Sequence, residues 1–164
     1  MDEFTSWLNL LITRLEQQNR GAAPFARMQL VTGLRSAEVL EFSRWTFHGD
    51  GTATVQLAKT EAVKTFAVAE LPAEWLAAQA AGTGYFQYGY SSYLHDLKAA
   101  GISFIFAKDK KATLSHAFRY HKFRRLYELH GDVDTVQALM VHKSAGSTMY
   151  YLLDTISVQD KGTR

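Results

Sequence analysis

The stretch LSHAFRYHKFRRLYELHGDVDTVQALMVHKSAGSTMYY, residues 114–151, decides the fold that the chain is expected to adopt. Its first half predicts a long helix from about Ser115 to His130, ended by Gly131. Two shorter helices are predicted through DTVQALMV and STMYYLLDTI, the second with Ser147 as its N-cap. The stretch therefore predicts three consecutive helices.

The rest of the chain adds more helices and one β-rich region. Helical spacing is found in DEFTSWLNLLITRLEQQN, APFARMQLV, a short run from Ser36, PAEWLAAQAA, and SSYLHDLKAA, which a serine would cap. Between them, RWTF, TATVQLA and TFAVAEL have β composition, and HGDG suits a tight turn joining the first two. The predicted class is α+β, a mostly helical bundle with a small three-stranded antiparallel sheet, and residues 1–164 are expected to form a single domain.

Composition points to an intracellular protein. The chain has no cysteine, so disulfides are excluded. Its acidic start, Met1 to Glu3, does not fit a signal peptide, and the apolar run WLNLLI is too short to span a membrane. We therefore expect a soluble cytoplasmic protein with no membrane partner.

Positive charge is concentrated in the C-terminal part of the chain. Residues 1–97 hold 7 Lys and Arg against 10 Asp and Glu, whereas residues 98–164 hold 11 against 6. The run KDKKATLSHAFRYHKFRR, residues 108–125, is either a solvated helix face or a surface for a polyanion, for which phosphates are the obvious candidates. The candidate DNA-binding residues are Lys108, Lys110, Lys111, Lys122, Arg124 and Lys143.

Three short motifs carry residues suited to phosphate chemistry. His116 and Arg119 lie one turn apart at the start of a helix, where unpaired backbone N–H groups also favour an anion. Arg35 follows a glycine break and has Glu38 one turn further on, an ordinary ion-pair spacing, and Lys59 lies in a predicted β-turn. Each motif taken alone also fits a purely structural role. No cysteine or carboxylate cluster joins the histidines, so neither a metal nor another cofactor is expected.

The order and spacing of these motifs resemble the catalytic domain of the tyrosine recombinases, the phage integrase family. The matching stretches are TGLRSAEVLEF, LAKTEAVKTFAV and residues 114–151, and the match runs from about residue 22 to residue 152. The sequence departs from the family pattern at Val141, where the family commonly has glycine. The residues that match the family's catalytic positions are Arg35, Lys59, His116, Arg119, His142 and Tyr151.

The resemblance implies a metal-independent DNA breaking and rejoining reaction. Tyr151 would attack the scissile phosphate, giving a 3′-phosphotyrosyl link and a free 5′-hydroxyl, and a 5′-hydroxyl would reverse the step. A phenol with a pKa of about 10 needs nearby positive charge to become a good nucleophile. Arg35 and Arg119 would supply this charge and bind the non-bridging phosphate oxygens.

The resemblance also assigns the proton transfers. Lys59 matches the general acid for the leaving 5′-oxygen, and His116 matches the residue that accepts the proton of the incoming hydroxyl. His142 matches the residue that hydrogen-bonds the phosphate or supports the site. Glu38 is interpreted as an orienting partner of Arg35.

Two adjacent tyrosines compete for the role of nucleophile. On a helical wheel that starts at Ser147, an apolar side that faces the core is predicted, consisting of Met149, Leu152, Leu153 and Ile156. Tyr150 then lies at the flank of this side and Tyr151 lies nearly opposite it. The spacing of nine residues from His142 and the wheel both favour Tyr151.

The sequence is also compatible with two other functions. One is relaxation of DNA strands, as in type IB topoisomerases, and the other is that of an accessory module that binds DNA without cleaving it. We expect the 164 residues to hold the catalytic domain without the family's N-terminal core-binding domain. The expected partner is double-stranded DNA in the host cytoplasm or nucleoid, bound by a monomer in solution that assembles into a tetramer on recombining DNA.

Overall fold

The computed structural model describes residues 2–81, 88–141 and 145–162. The α-helices among these residues are α1 (Glu3–Gln18), α2 (Ala23–Thr32), α3 (Ser36–Leu40), α4 (Ala73–Ala81), α5 (Tyr90–Ala99), α6 (His116–His130), α7 (Val133–Leu139) and α8 (Ala145–Leu153). The strands are β1 (Trp45–Phe47), β2 (Thr52–Gln56), β3 (Val63–Ala67), β4 (Ile102–Phe106) and β5 (Ile156–Asp160). The glycine-rich segment GTGYFQYG, residues 82–89, between α4 and α5 lies largely outside the described residues.

The helices begin and end mostly where local signals place them. Asp2 caps α1 by accepting a hydrogen bond from the Thr5 N–H (2.7 Å), and α6 ends at Gly131 as predicted. Two predicted caps are wrong. Helix α5 begins at Tyr90 after an extended Gly89, so its serines lie inside the first turn, and α8 begins at Ala145, so Ser147 is already helical.

The predicted three-stranded antiparallel sheet is confirmed, with the order β1-β2-β3. Its third strand starts two residues earlier than predicted, because Val63 already pairs with Gln56. A hydrogen bond from the Leu57 N–H to the Ala62 carbonyl (2.9 Å) closes the turn between β2 and β3. Strand β3 ends at Ala67, where a 3₁₀ turn replaces the predicted last residues of the strand.

A second sheet was not predicted. Strands β4 and β5 pair antiparallel over five residues each, from Ile102 opposite Asp160 to Phe106 opposite Ile156. The prediction that Ile156 belongs to the last helix is therefore wrong, because α8 ends at Leu153 and the chain continues as a strand along β4. The chain that follows Tyr151 is thus fixed within this domain by backbone pairing.

A close approach between α2 and α6 positions the residues considered below. Gly33 ends α2 with φ +70°, and a Cβ built there would lie 2.6 Å from the Cβ of Lys122 on α6. Only glycine allows both the left-handed backbone and this contact. The segment carrying Arg35 therefore starts directly against the first half of α6. In the described ranges, no helix is long and apolar enough to cross a membrane.

Candidate functional site

Arg119 is the most deeply buried cation of the candidate site. Its side chain belongs to the first turns of α6, and the residue is only 3% exposed. One Nη donates to the Gly33 carbonyl (2.8 Å), whereas Nε has no hydrogen-bond partner among the described residues. Burial lowers the pKa of Arg119, the interaction with Tyr151 opposes this shift, and the charge of Arg35 acts in the same direction as burial. Such a guanidinium still has N–H donors for an anion.

Tyr151 lies against this arginine. Its ring stacks on Phe123 with centroids 4.4 Å apart and planes at 2°, and Tyr120 meets it edge-on at 4.8 Å. The guanidinium carbon of Arg119 is 5.6 Å from the centre of the same ring. Tyr151 is thus held on two sides by aromatic rings, and its side chain lies close enough to a buried cation to affect the pKa of that cation.

The two tyrosines lie on different faces of α8, as expected. The prediction that Tyr151 lies opposite the core is wrong, however. Tyr150 is 42% exposed and Leu153, predicted to face the core, is 57% exposed, whereas Tyr151 packs inward. Because α8 begins at Ala145 and buries Thr148 fully, its inner face contains positions 148 and 151. The aromatic rings of α6, which the wheel did not include, set this phase.

Glu38 connects Arg35 to the turn between β2 and β3. The carboxylate is fully buried and accepts hydrogen bonds from the N–H groups of Arg35 (2.7 Å) and Ala58 (2.8 Å). It also lies 3.4 Å from a guanidinium nitrogen of Arg35. One buried carboxylate therefore holds both the arginine and the residue before Lys59 in place.

Lys59 and His116 share an open cavity of about 760 Å³ with Arg35. Lys59 is exposed, whereas His116 is half-buried and its Nδ1 accepts a hydrogen bond from the Thr113 N–H (3.0 Å). The pKa of His116 is lowered by burial first and also by the positive charges of Arg119 and Lys59, against Asp109. The ring is therefore stabilised in its neutral form with the proton on Nε2.

His142 and Lys143 lie outside the described residues. The residue before them, Val141, has φ +52°, in the left-handed region that disfavours β-branched side chains. This is the position at which the sequence departs from the family pattern by lacking glycine. Valine at this position therefore carries backbone strain that glycine would not.

The predicted DNA-binding residues fall into two groups. Lys108, Lys110 and Lys111 are exposed in the segment after β4. Lys122 is half-buried beside Gly33, and Arg124 donates to the backbone carbonyls of Tyr151 and Asp154. The second group is thus engaged in contacts within the domain.

Sequence reasoning missed Lys64. This lysine precedes Phe66 by two positions on β3, so it shares the inward face of the strand, and its Nζ lies 5.0 Å from the centre of the Phe66 ring. Its pKa is lowered to about 8 by burial first and then by Lys122 and Arg119, against the carboxylates of Glu38 and Glu70. The signal in the sequence was a lysine in phase with the buried positions of an alternating strand.

Lys64 predicts a pH dependence of stability. Because its pKa is lower in the folded chain (about 8) than in the unfolded chain (about 10.4), the unfolded chain binds more protons between these values, and stability should rise over that interval. We expect Lys64→Met to raise the free energy of unfolding by about 3 kcal/mol at pH 7 and by much less at pH 10. Urea titrations at both pH values measure this, with the exposed Lys111→Met as the control for loss of a charge. A pH-independent difference would contradict the assignment.

The described residues contain no group of three His, Asp or Glu side chains able to hold a metal ion.

Comparison with known proteins identifies the fold. No protein-family model and no curated protein matches the chain. Among solved structures, the chain is similar to site-specific recombinases, so the α+β fold predicted from the sequence, that of a tyrosine recombinase catalytic domain, is confirmed.

Two of these structures are of XerH. The pre-cleavage complex of XerH site-specific recombinase bound to difH substrate matches with a TM-score of 0.54 and 17% identity, over 88% of this chain and 48% of that chain. The post-cleavage complex with palindromic difH substrate matches with a TM-score of 0.55 and 17% identity, over 92% of this chain and 48% of that chain. The chain spans about half the length of these solved chains.

Proposed function

We propose that the chain is the catalytic domain of a tyrosine site-specific recombinase or integrase. The observation that carries the proposal is the pair formed by Tyr151 and the buried Arg119, whose Nε has no partner among the described residues. A phenol held beside a buried guanidinium is suited to attack a phosphate. The positive charge favours the phenolate and stabilises the negative charge that develops on the phosphate oxygens.

The proposed cleavage step joins Tyr151 to DNA. The Tyr151 oxygen forms a bond to the scissile phosphorus, the bond from phosphorus to the 5′-oxygen breaks, and the phenol proton passes to water. The free N–H groups of Arg119 and the guanidinium of Arg35 bind the non-bridging oxygens. Because the phosphotyrosyl bond replaces a phosphodiester bond, a 5′-hydroxyl can reverse the reaction without a cofactor.

The remaining side chains handle protons and hydrogen bonds. Lys59, exposed at the edge of the cavity, gives a proton to the leaving 5′-oxygen. Since Nδ1 of His116 is occupied by the Thr113 N–H, we assign His116 the donation of its Nε2–H to a phosphate oxygen, in place of the proton acceptance that the resemblance implies. His142 retains the phosphate-binding role of its family position.

Double-stranded DNA is the proposed partner. The exposed Lys108, Lys110 and Lys111 lie near the end of β4 and supply positive charge to a backbone. Both similar XerH structures are described as substrate-bound. We propose that the domain is a monomer in solution, in the compartment that holds the DNA, and forms a tetramer when two sites recombine.

Covalent trapping tests this function. The chain is incubated with a pool of end-labelled duplexes of random sequence, each with a nick just 3′ of the central phosphates, so that the released 5′-hydroxyl fragment diffuses away. We expect a labelled protein–DNA adduct on a denaturing gel, and sequencing the trapped DNA gives the site. Binding without an adduct would indicate the accessory module, and relaxation of supercoiled plasmid by the monomer would indicate the topoisomerase function. Either result contradicts the proposal.

A further inference from the structure

Asp154 lies three residues after Tyr151 and is only 4% exposed. One carboxylate oxygen accepts from the Lys108 N–H (2.7 Å), and the other accepts from the Asp109 N–H (3.2 Å) and the Tyr120 hydroxyl (2.7 Å). Burial raises the pKa of Asp154, but the hydrogen bonds from Tyr120 and the backbone outweigh it, so the pKa lies below its usual value. The group is thus a buried carboxylate satisfied by three donors.

These bonds fix the end of α8 to two other elements. Lys108 and Asp109 follow β4, and Tyr120 belongs to α6. From the same helix, Arg124 donates to the Tyr151 carbonyl (3.2 Å) and to the Asp154 carbonyl. The Ala107 N–H donates to the Thr155 carbonyl (2.9 Å), where the pairing of β4 with β5 begins.

Tyr120 connects this carboxylate directly to Tyr151. Its hydroxyl donates to Asp154, and its ring forms the edge contact with the Tyr151 ring at 4.8 Å. Asp154 therefore fixes both the last turn of α8 and one aromatic side of the Tyr151 ring. A shift of the carboxylate would move the Tyr151 hydroxyl relative to the guanidinium of Arg119.

We propose that Asp154 is a positioning residue for Tyr151: it holds the end of α8 against α6 and β4 so that the Tyr151 hydroxyl meets Arg119. The inference rests on the proposed function, because it assigns a role in nucleophile placement. Catalysis by positioning is sensitive to small displacements, and about 1 Å can cost about 100-fold in rate.

Asp154→Asn tests the proposal with little change in shape. The asparagine amide keeps one acceptor oxygen, but its N–H₂ group replaces the other. At least one of the donors from Lys108, Asp109 and Tyr120 therefore loses its acceptor. At saturating DNA, we expect the single-turnover rate of adduct formation to fall about 10- to 100-fold. DNA affinity should fall by a smaller factor than the rate, because Asp154 holds the backbone of Lys108 and Asp109 but not the exposed ammonium groups that would bind DNA. Tyr120→Phe, which removes one donor and keeps the ring, should lower the rate by a smaller factor, and it decides the question if Asp154→Asn does not fold.

Asp160→Asn is the matched control. Asp160 lies on the same C-terminal segment and forms an ion pair with Arg14 (2.7 Å), remote from the contacts of α8. We expect the cleavage rate of this variant to be unchanged. Equal rates for Asp154→Asn and the unmodified chain, or equal losses in both variants, would overturn the proposal.

A spectroscopic readout separates this inference from the proposed function. The ring signals of Tyr151, assigned in ¹³C-tyrosine-labelled protein by comparison with Tyr151→Phe, are shifted by the stacked Phe123 ring. Asp154→Asn should move them, whereas Asp160→Asn should not. If the unmodified chain forms no adduct, the proposed function fails and the signals still show whether Asp154 places Tyr151. Unmoved signals in Asp154→Asn would contradict the positioning role.

Discussion

Tyr151→Phe is expected to reduce covalent adduct formation below detection while leaving DNA binding intact. The substitution removes only the hydroxyl oxygen that would join phosphorus, so the ring keeps its place but has no nucleophile to offer. The ring should keep its stacking on Phe123 and its edge contact with Tyr120, so the domain should fold normally. The trapping gel and a DNA titration by fluorescence anisotropy measure the two properties.

Tyr150→Phe is the control that the chain itself offers. The side chain of Tyr150 is 42% exposed, on the neighbouring position of the same helix, and its loss of a hydroxyl should leave the cleavage rate within about twofold. A normal adduct yield from Tyr151→Phe, together with a loss in Tyr150→Phe, would assign the nucleophile to the other tyrosine. Normal yields from both variants would contradict the phosphotyrosyl mechanism.

Local signals were sufficient to predict most of the fold. The ends of α2 at Gly33 and of α6 at Gly131 follow from the local preference of glycine for the end of a helix. The three-stranded sheet follows from short turns between adjacent strands. The pairing of β4 with β5 joins positions 102–106 and 156–160, about 50 residues apart in sequence, and no local pattern specifies such a contact.

The sequence predicted which residues form the candidate site, but not the orientation, tautomer or pKa of their side chains. The order and spacing of the motifs identified Arg35, Arg119 and Tyr151. The helical wheel wrongly placed Tyr151 on the outer face, because a wheel does not include the Phe123 ring of another helix. The tautomer of His116 depends on a backbone N–H three residues away, and the low pKa of Lys64 depends on burial and then on cations from α6. These properties arise from tertiary packing, which a single sequence does not display.

Val141 shows a different limit. The sequence departs from the family pattern at this position, and the backbone there is left-handed all the same. Valine thus occupies a left-handed position that glycine would occupy without strain. The packing of Val136 and Met140 against Phe123 holds the end of α7 and outweighs the local preference of valine.

Replacing Arg119 is the second substitution with a large expected effect. Arg119→Met keeps the length of an apolar stem but removes the charge and all five donors, and we expect the single-turnover cleavage rate to fall by about 10³-fold. Arg119→Lys keeps the charge but loses the planar guanidinium with its several N–H donors. We expect its cleavage rate to be strongly reduced as well, because one ammonium cannot reach the Gly33 carbonyl, Tyr151 and the phosphate in the same geometry. Rates are measured on the trapped site, with urea unfolding in parallel.

Stability should change far less than activity. Arg119→Met relieves the burial of a charge whose pKa is lowered by desolvation, but it leaves the Gly33 carbonyl without its donor, so the two effects oppose each other and the urea midpoint should move little. The control is Arg125→Met on the same helix, whose exposed side chain pairs only with Glu128 among the described residues and should leave the cleavage rate within a few-fold. If Arg119→Met cleaved within about tenfold of the unmodified rate, the guanidinium would not be bound to the reacting phosphate. If Arg119→Met did not fold, Arg119→Lys would decide the question, and a normal cleavage rate in Arg119→Lys would contradict the assignment of the guanidinium to the phosphate.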